Sequence, residues 1–391
     1  RLLAFMEENV IPAEPVFAEE MRASGDPHFH PHVMEELKAE AKARGLWNLF
    51  MPHTTEWTPD PVSNVDYAPL AEITGRSPLG PESVNSAAPD TGNMEILALF
   101  GTPEQKDRWL VPLLEGEIRS CFAMTEPDVA SSDARNISLS IVRDGDDYVL
   151  NGRKWWISGA ANPRCRVAIV MGKTDPSAPT YTQQSMVLVP MDTPGISTTR
   201  FKDLGSHAIG RGSIFFDEVR IPASHRLAEE GMGFVQVMQG FDYSRALIGL
   251  QCCAAAQASL DESWSYITER QSFGAPLAQY QGVSFPLAEG EGMIAAIRQL
   301  CYHTLRLRDA DEAHTSEAAM CKWLGPKTAV DVIHQCLLTH GHYGWSLDLP
   351  HQQRLRDVMG LEIGDGTAQI MKLIVAREKV GRVAVQYARQ N

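Results

Sequence analysis

The stretch "ISLSIVRDGDDYVLNGRKWWISG", Ile137 to Gly159, decides how the rest of the chain is read. Its β-branched and aromatic residues alternate with polar ones, which is the period of a strand with one face on a core. Asp144-Gly145 and Asn151-Gly152 each read as a hairpin turn, because Asn, Asp and Gly tolerate the left-handed backbone that a tight turn needs. Three short strand-like runs follow, "VAIVMGKT", "SMVLVPM" and "SIFFDEVRIP", each closed by Pro, Gly or charge. Residues 119–223 therefore read as a small all-β unit.

The sequence on either side has helical spacing instead. In residues 1–118, "HVMEELKAEAKARGL" carries an apolar stripe and ends on Gly45, a good residue to close a helix. "TPEQKDRWLVPLLEGE" begins at Thr102, a cap candidate with Pro103 just inside it. "MPHTTEWTPDPVSNVDY", between them, reads as loop. Within residues 224–391 the chain turns helical after Gly231-Met232-Gly233, first in "SRALIGLQCCAAAQASLDESWSYITERQSF" and then near 284–309, 315–340 and 366–388. Helices of that length with apolar stripes pack as an antiparallel bundle. Their surplus apolar surface predicts that subunits pack against one another.

The 391 residues are 44% hydrophobic and 21% charged, the composition of an ordinary globular protein. A net charge of −14 argues against nucleic acid or anionic membranes as partners. The seven cysteines form no C-x-x-C pair, so neither a disulfide framework nor a zinc site is expected. Four histidines between His334 and His351 lack the carboxylate or Cys spacing of a metal site and read as helix-end and surface groups. No apolar run approaches the ~18 residues of a membrane span. "GKT" at 172–174 lacks the upstream Gly of a P-loop, and G-x-G-x-x-G after a strand, G-x-S-x-G and H-E-x-x-H are missing. The opening "RLLAFMEENVIPAE" reads as a trimmed start that would hide any targeting segment. The cytoplasm is preferred over a mitochondrial matrix.

Four segments carry a resemblance. "FAMTEPDVASSD" (122–133), "NGRKWWISG" (151–159), "ERQSFGAPLAQYQ" (269–281) and "GDGTAQIMKLIVARE" (364–378) resemble the signature regions of the acyl-CoA dehydrogenase family, in order and spacing. The resemblance implies an α+β fold: an N-terminal helical domain (1–118), a middle small β-barrel or sandwich domain (119–223) and a C-terminal antiparallel four-helix bundle (224–391). It also implies FAD between the β unit and the C-terminal helices, with an acyl-CoA thioester along the flavin. Oxidation between Cα and Cβ needs a base for an unacidic proton, stabilisation of the enolate oxygen and an electron acceptor. No side chain accepts a hydride, so a cofactor must.

The family's base is a Glu just before the last helix, and the matching residue here is Asp365, between Gly364 and Gly366. Bare glycines let backbone and thioester come close, and burial would raise the carboxylate's pKa. The alternative is that Asp365 or Thr367 only caps the following helix. Asp is one methylene shorter than Glu, a retreat of about 1.5 Å that costs on the order of a hundredfold in rate unless substrate or backbone compensates. The family's second location for a base, on the long helix before an Arg, is held by Ser244. Asp90 in "SAAPDTGNMEIL" is a weaker candidate, and helix N-cap is its plainer role.

The resemblance places Phe122, Met124, Thr125, Trp156 and Ser158 along the flavin, with Ser131 or Ser132 toward the pyrophosphate. Arg270, Ser272 and Phe273 match a stretch reaching the FAD of a neighbouring subunit, with Tyr280 and Gln281 beside its adenosine. Leu338, Gly341 and His342 fall in another dinucleotide segment, where Leu338 and His342 depart from the family pattern and leave backbone contacts. Thr367 and Gln369 match further dinucleotide contacts. Asp242, Ser244, Arg245, Gly366 and Arg377 match positions along the acyl-CoA. The expectation is an FAD-dependent acyl-CoA dehydrogenase, a homotetramer or homodimer, passing electrons to an electron-transferring flavoprotein. A branched or cyclohexanecarboxyl-type acyl group is preferred. Rival readings are a same-fold flavin oxidase acting on an acyl-CoA or nitroalkane, and a silent assembly partner.

Overall fold

The computed structural model describes residues 1–26, 29–51, 61–130, 133–205 and 210–384, with the side chains of 239–241 outside the description. Ser131 and Ser132 lie outside the described residues. Helices α1 (Ile11–Ser24), α2 (His32–Ala43), α3 (Asn64–Thr74) and α4 (Asp90–Phe100) form the N-terminal part. Gly45 adopts φ +65°, the left-handed step expected after α2. Thr102 caps the next helical segment in a full capping box with Gln105. Part of the expected loop before Tyr67 is helix: Ser63 accepts the Asp66 N–H and starts α3 at Asn64.

Strands β1 (Arg119–Ala123), β2 (Ser140–Asp144), β3 (Asp147–Ile157), β4 (Cys165–Lys173), β5 (Gln184–Pro190), β6 (Ile196–Arg200), β7 (Gly212–Pro222) and β8 (Arg226–Leu227) make one sheet. Its order is β6-β7-β3-β2-β4-β5-β8, with β1 parallel to β4. Strands β4 and β5 read as unbroken apolar runs because both faces are covered. Ile169, Met171, Met186 and Leu188 join Met94, Trp109 and Val237 in one core, while Val170, Val187 and Val189 join Ile141, Tyr148 and Leu150 in another.

Asp144-Gly145 is the expected turn, with Asp144 paired to Asp147. Asn151-Gly152 is not a turn. The strand continues, and its register against β7 slips between Leu150 and Gly152. The Asn151 amide donates to Glu218 Oε1 at 2.6 Å and its oxygen accepts the Glu218 N–H at 2.8 Å, so the pair spans a bulge. A Cβ on Gly152 would come within 3.0 Å of the Leu139 backbone, which is the reason for glycine there.

The C-terminal part holds α5 (Gly233–Glu269), α6 (Gln281–Asp309) and α7 (Thr315–Thr339), followed by α8 (His351–Leu361) and α9 (Ala368–Val380). Helix α7 is central and packs on α5, α6, α8 and α9. It crosses α5 closely: a Cβ on Gly325 would lie 2.8 Å from the Gly249 Cα. All seven cysteines are free thiols, and all are buried. No helix among the described residues is long and apolar enough to cross a membrane.

Candidate active site

Asp365 stands in the turn between α8 and α9. Capping of α9 falls to Thr367, whose hydroxyl accepts the Ile370 N–H at 3.4 Å, so Asp365 is not the cap. Asp365 is in the left-handed region, φ 54°, and Gly366 follows at φ 102°, a conformation that favours glycine. A Cβ on Gly364 would meet only the Gly360 carbonyl, at 3.5 Å. The expected burial of Asp365 needs correction: the residue is exposed in this chain, since glycines on both sides supply nothing to cover it. Its surroundings still crowd it. Desolvation by neighbouring protein raises its pKa above the usual carboxylate value, and the charges of Lys322 and Arg245 oppose the rise.

Lys322, on α7, is fully buried, and its Nζ donates to the Leu361 carbonyl at 2.6 Å and the Gly366 carbonyl at 3.0 Å. Sequence reasoning missed it, because one lysine in an apolar helix ordinarily snorkels to solvent. Arg245, on α5, is 6% exposed and pairs with Asp242 at 2.7 Å. Asp242 also accepts the Thr315 hydroxyl at 2.7 Å, which ties α5 to α7. These two acyl-CoA candidates thus sit beside the base candidate, with half-buried Ser244 between them in sequence.

The flavin-side candidates gather where β1 meets β3. Met124 and Thr125 follow β1, the Thr125 carbonyl accepts the Trp155 N–H at 3.0 Å, and the Thr125 hydroxyl donates to the Trp155 carbonyl. Lys154 is fully buried, donating to the Met124 carbonyl and to Glu126, each at 2.8 Å. Burial lowers the Lys154 pKa to about 8 against the pull of Glu126. Glu126 in turn accepts from the Ser138 and Leu139 N–H groups, so the turn bearing Met124 and Thr125 is fastened on both sides. Trp156 takes φ 55°, is 48% exposed and stacks on Phe201 with centroids 4.1 Å apart. Phe122 and Ser158 are half-buried on the same two strand ends.

A second group lines an open cleft of about 570 Å³ at the other end of the bundle: Tyr266, Arg270, Ser272, Leu338, Gly341 and His342 among them. Phe273, on the adjoining hairpin, is 97% exposed. Tyr280 holds that hairpin by donating to the Ser272 carbonyl at 2.7 Å, and Gln281 opens α6 on an exposed side. His340 stacks on Tyr266 at 4.2 Å and meets His351 at 4.5 Å with the rings tilted by 45°, and burial drives the His351 pKa down to about 3. These rings act as packing groups of the cleft wall.

Two candidates stand apart. Asp90 is 3% exposed, paired with Arg119 and accepting the Ser120 N–H at 2.7 Å. Nor is it the N-cap, a place held by Pro89; its carboxylate instead ties α4 to β1. Arg377 is exposed on α9, ten residues beyond Thr367 and thus roughly 15 Å along the helix, near Glu378 at 3.8 Å. Gln369 is exposed in the first turn of that helix.

Comparison with known families resolves what this arrangement is. Residues 2–117, 121–219 and 231–380 match, in turn, the N-terminal, middle and C-terminal domains of acyl-CoA dehydrogenase. The chain belongs to the acyl-CoA dehydrogenase family.

This acyl-CoA dehydrogenase is 43% identical over 99% of its length to FadE2 of Mycobacterium tuberculosis, described as a probable acyl-CoA dehydrogenase, of which it covers 96%. It is 41% identical to acyl-CoA dehydrogenase family member 11 of Gallus gallus over 95% of the chain, and there it spans 49% of the relative's length. A solved Mycobacterium abscessus chain with a provisional acyl-CoA dehydrogenase assignment superposes with a TM-score of 0.92 at 38% identity, covering 98% of this chain and 97% of that one. The enzyme is an FAD-dependent oxidoreductase, and a solved glutaryl-CoA dehydrogenase of the same fold from Mycobacterium smegmatis is in complex with FADH2. The donor set here fits such a group. The Arg270 guanidinium edges the cleft, where a cation suits a pyrophosphate, and Gly341 beside it carries no side chain to bar a ligand's approach. Tyr266, His342 and Tyr343 give that cleft rings for a base to stack on.

Proposed function

We propose that Asp365 is the base that takes the α-proton of an acyl-CoA thioester, in a reaction that forms an enoyl-CoA. One observation carries this reading: a carboxylate in left-handed backbone, relieved of capping duty by Thr367, with no side chain on Gly364 or Gly366 to bar a ligand's approach. Bound FAD supplies the acceptor for the electron pair leaving Cβ. The chain's own groups do the rest. Desolvation makes Asp365 a stronger base than a surface carboxylate, while Lys322 and Arg245 favour its ionised form. Backbone N–H groups beside Asp365 would hold the developing enolate oxygen. Met124, Thr125, Trp156 and Ser158 would hold the flavin end, and Arg270 with residues 338–342 the dinucleotide end of a neighbouring subunit's cofactor, which makes the assembled oligomer the working unit. Asp242, Ser244, Arg245 and Arg377 would contact the CoA portion, and an electron-transferring flavoprotein would receive the electrons.

The shorter base favours an acyl group bulky near Cα, of branched or alicyclic type. In the holoenzyme, anaerobic addition of the preferred thioester should bleach the flavin, and Asp365→Ala should slow bleaching by about 10²–10⁴-fold with FAD still bound. Bleaching at the wild-type rate would remove Asp365 from the reaction. Hexanoyl- or octanoyl-CoA clearly outpacing cyclohexanecarboxyl-CoA would overturn the substrate preference.

A further inference from the structure

We infer that Lys322 is the positioning residue of the base: its buried ammonium clamps both ends of the turn carrying Asp365 and so fixes where the carboxylate stands. The inference rests on Asp365 being the base. Lys322 Nζ reaches the carbonyl of Leu361, the last residue of α8, at 2.6 Å, and that of Gly366, the residue after Asp365, at 3.0 Å. The four residues between these anchors, Glu362 to Asp365, include Ile363 at 71% exposure and Gly364, so side-chain packing does little to set their path. Backbone bonds from Ile363 and Gly364 N–H to the Gly360 carbonyl hold the first part of the turn, and the two carbonyls bonded to one buried cation tie its far end, at Gly366, back to Leu361, since charge-assisted hydrogen bonds are the stronger kind.

The position of Lys322 explains why a charge is used. Helix α7 packs on α5, α6, α8 and α9 and leaves a stripe of Lys327, Asp331, His334 and Leu338 exposed, so the ammonium is mounted on the central helix of the bundle and reaches both ends of the turn. A lysine buried this completely is costly unless its protons are used. Desolvation lowers its pKa, and among the neighbouring charges that of Asp365 does most to oppose the fall. The groups facing the same ammonium and carboxylate are Arg245 and Cys252 from α5 and Glu362 from the turn itself. A misplaced carboxylate matters here because Asp has no spare methylene with which to adapt.

The test compares holoenzyme carrying Lys322→Met, Lys322→Gln or Asp365→Ala with the unsubstituted protein. Flavin content and circular dichroism report the fold, anaerobic stopped flow with butyryl-CoA and cyclohexanecarboxyl-CoA reports flavin reduction, and carbon-13-labelled aspartate, assigned by difference with Asp365→Asn, reports the titration of the Asp365 carboxyl. Lys322→Met should keep FAD and thioester affinity, slow reduction by about a hundredfold and move the Asp365 titration upward by about one pH unit. Lys322→Gln keeps a donor without the charge; it should show the same upward move with a smaller loss of rate, and it carries the test should the Met variant not fold. Rates and titrations matching the wild type in the folded variant would overturn the inference. The two readings fail separately: Asp365→Ala bleaching at the wild-type rate sinks the base assignment, whereas a silent Asp365→Ala beside unchanged Lys322 variants sinks only the clamp. The titration decides the matter whichever thioester the enzyme prefers.

Discussion

At the scale of single residues, the proposal that Asp365 is the base carries a pH dependence set by the charges around it. The carboxyl must be ionised to accept a proton, and its pKa is raised by desolvation, so flavin reduction should fall as pH drops through that raised value. Arg245 is one of two cations restraining the rise. Arg245→Gln should therefore shift the acid limb of the reduction rate, measured at saturating thioester, to higher pH; an unmoved limb would show that Arg245 does not act on the base. The sequence marks the carboxylate as a candidate, because it stands between two glycines ahead of a helix, and marks Arg245 as another through its motif; the structure brings the two within electrostatic reach. Lys322 was not legible. Its significance lies in two backbone carbonyls on another segment, and nothing local to "AAMCKWLG" marks a lysine that will meet them.

Elements meet in this fold through buried charge. Glu82, in the short turn of helix before α4, is held by Lys38 on α2 at 3.0 Å and by Arg119 on β1 at 2.7 Å. Burial pushes its pKa up, but Arg119 and Lys38 outweigh this and bring it down to about 2 from 4.5. A folded-state pKa below the unfolded one adds stability that is present above pH 4.5 and is lost as pH falls toward 2. Glu82→Gln should reduce stability at neutral pH, leaving Arg119 and Lys38 short of a counter-charge, and should flatten the loss between pH 4.5 and 2 in urea titrations. An unchanged acid slope would assign that loss to other carboxylates. Element type was readable wherever periodicity was strong, as in α2, β4 and α5. The exceptions have physical causes. Asn151-Gly152 has the chemistry of a turn, yet pairing with Glu218 across the strands makes it a bulge. Strand β6 leaves four of its five residues exposed and β1 is buried or half-buried at every position, so neither carries the sequence alternation that marks the equally short β2. Helix α8 begins at His351, directly after Pro350 and a run of mixed loop-like residues that hides its start.

For the whole molecule, the order helical, β, helical could be read from composition shifts along the chain, and four motifs in register supplied the rest. What the sequence could not supply is which surfaces meet. Phe273 at 97% exposure, Leu347 at 83% and Trp345 at 71% are large apolar groups left in the open on the C-terminal part. Phe273 adjoins Arg270 and Ser272 on the wall of the cleft proposed for the dinucleotide, so on that proposal assembly and cofactor retention should be coupled. Sedimentation should show a species heavier than the 43.2 kDa chain, and Phe273→Ala should shift it toward that mass with loss of bound FAD. A variant that stays assembled and yellow would place the contact elsewhere. The interior offers a practical opening for such work. Because every native thiol is sealed inside the fold, a maleimide dye should ignore the native enzyme and react only where a cysteine has been introduced. One label placed on that exposed hairpin would then report, in real time, whether a second subunit covers it and whether added FAD changes the rate.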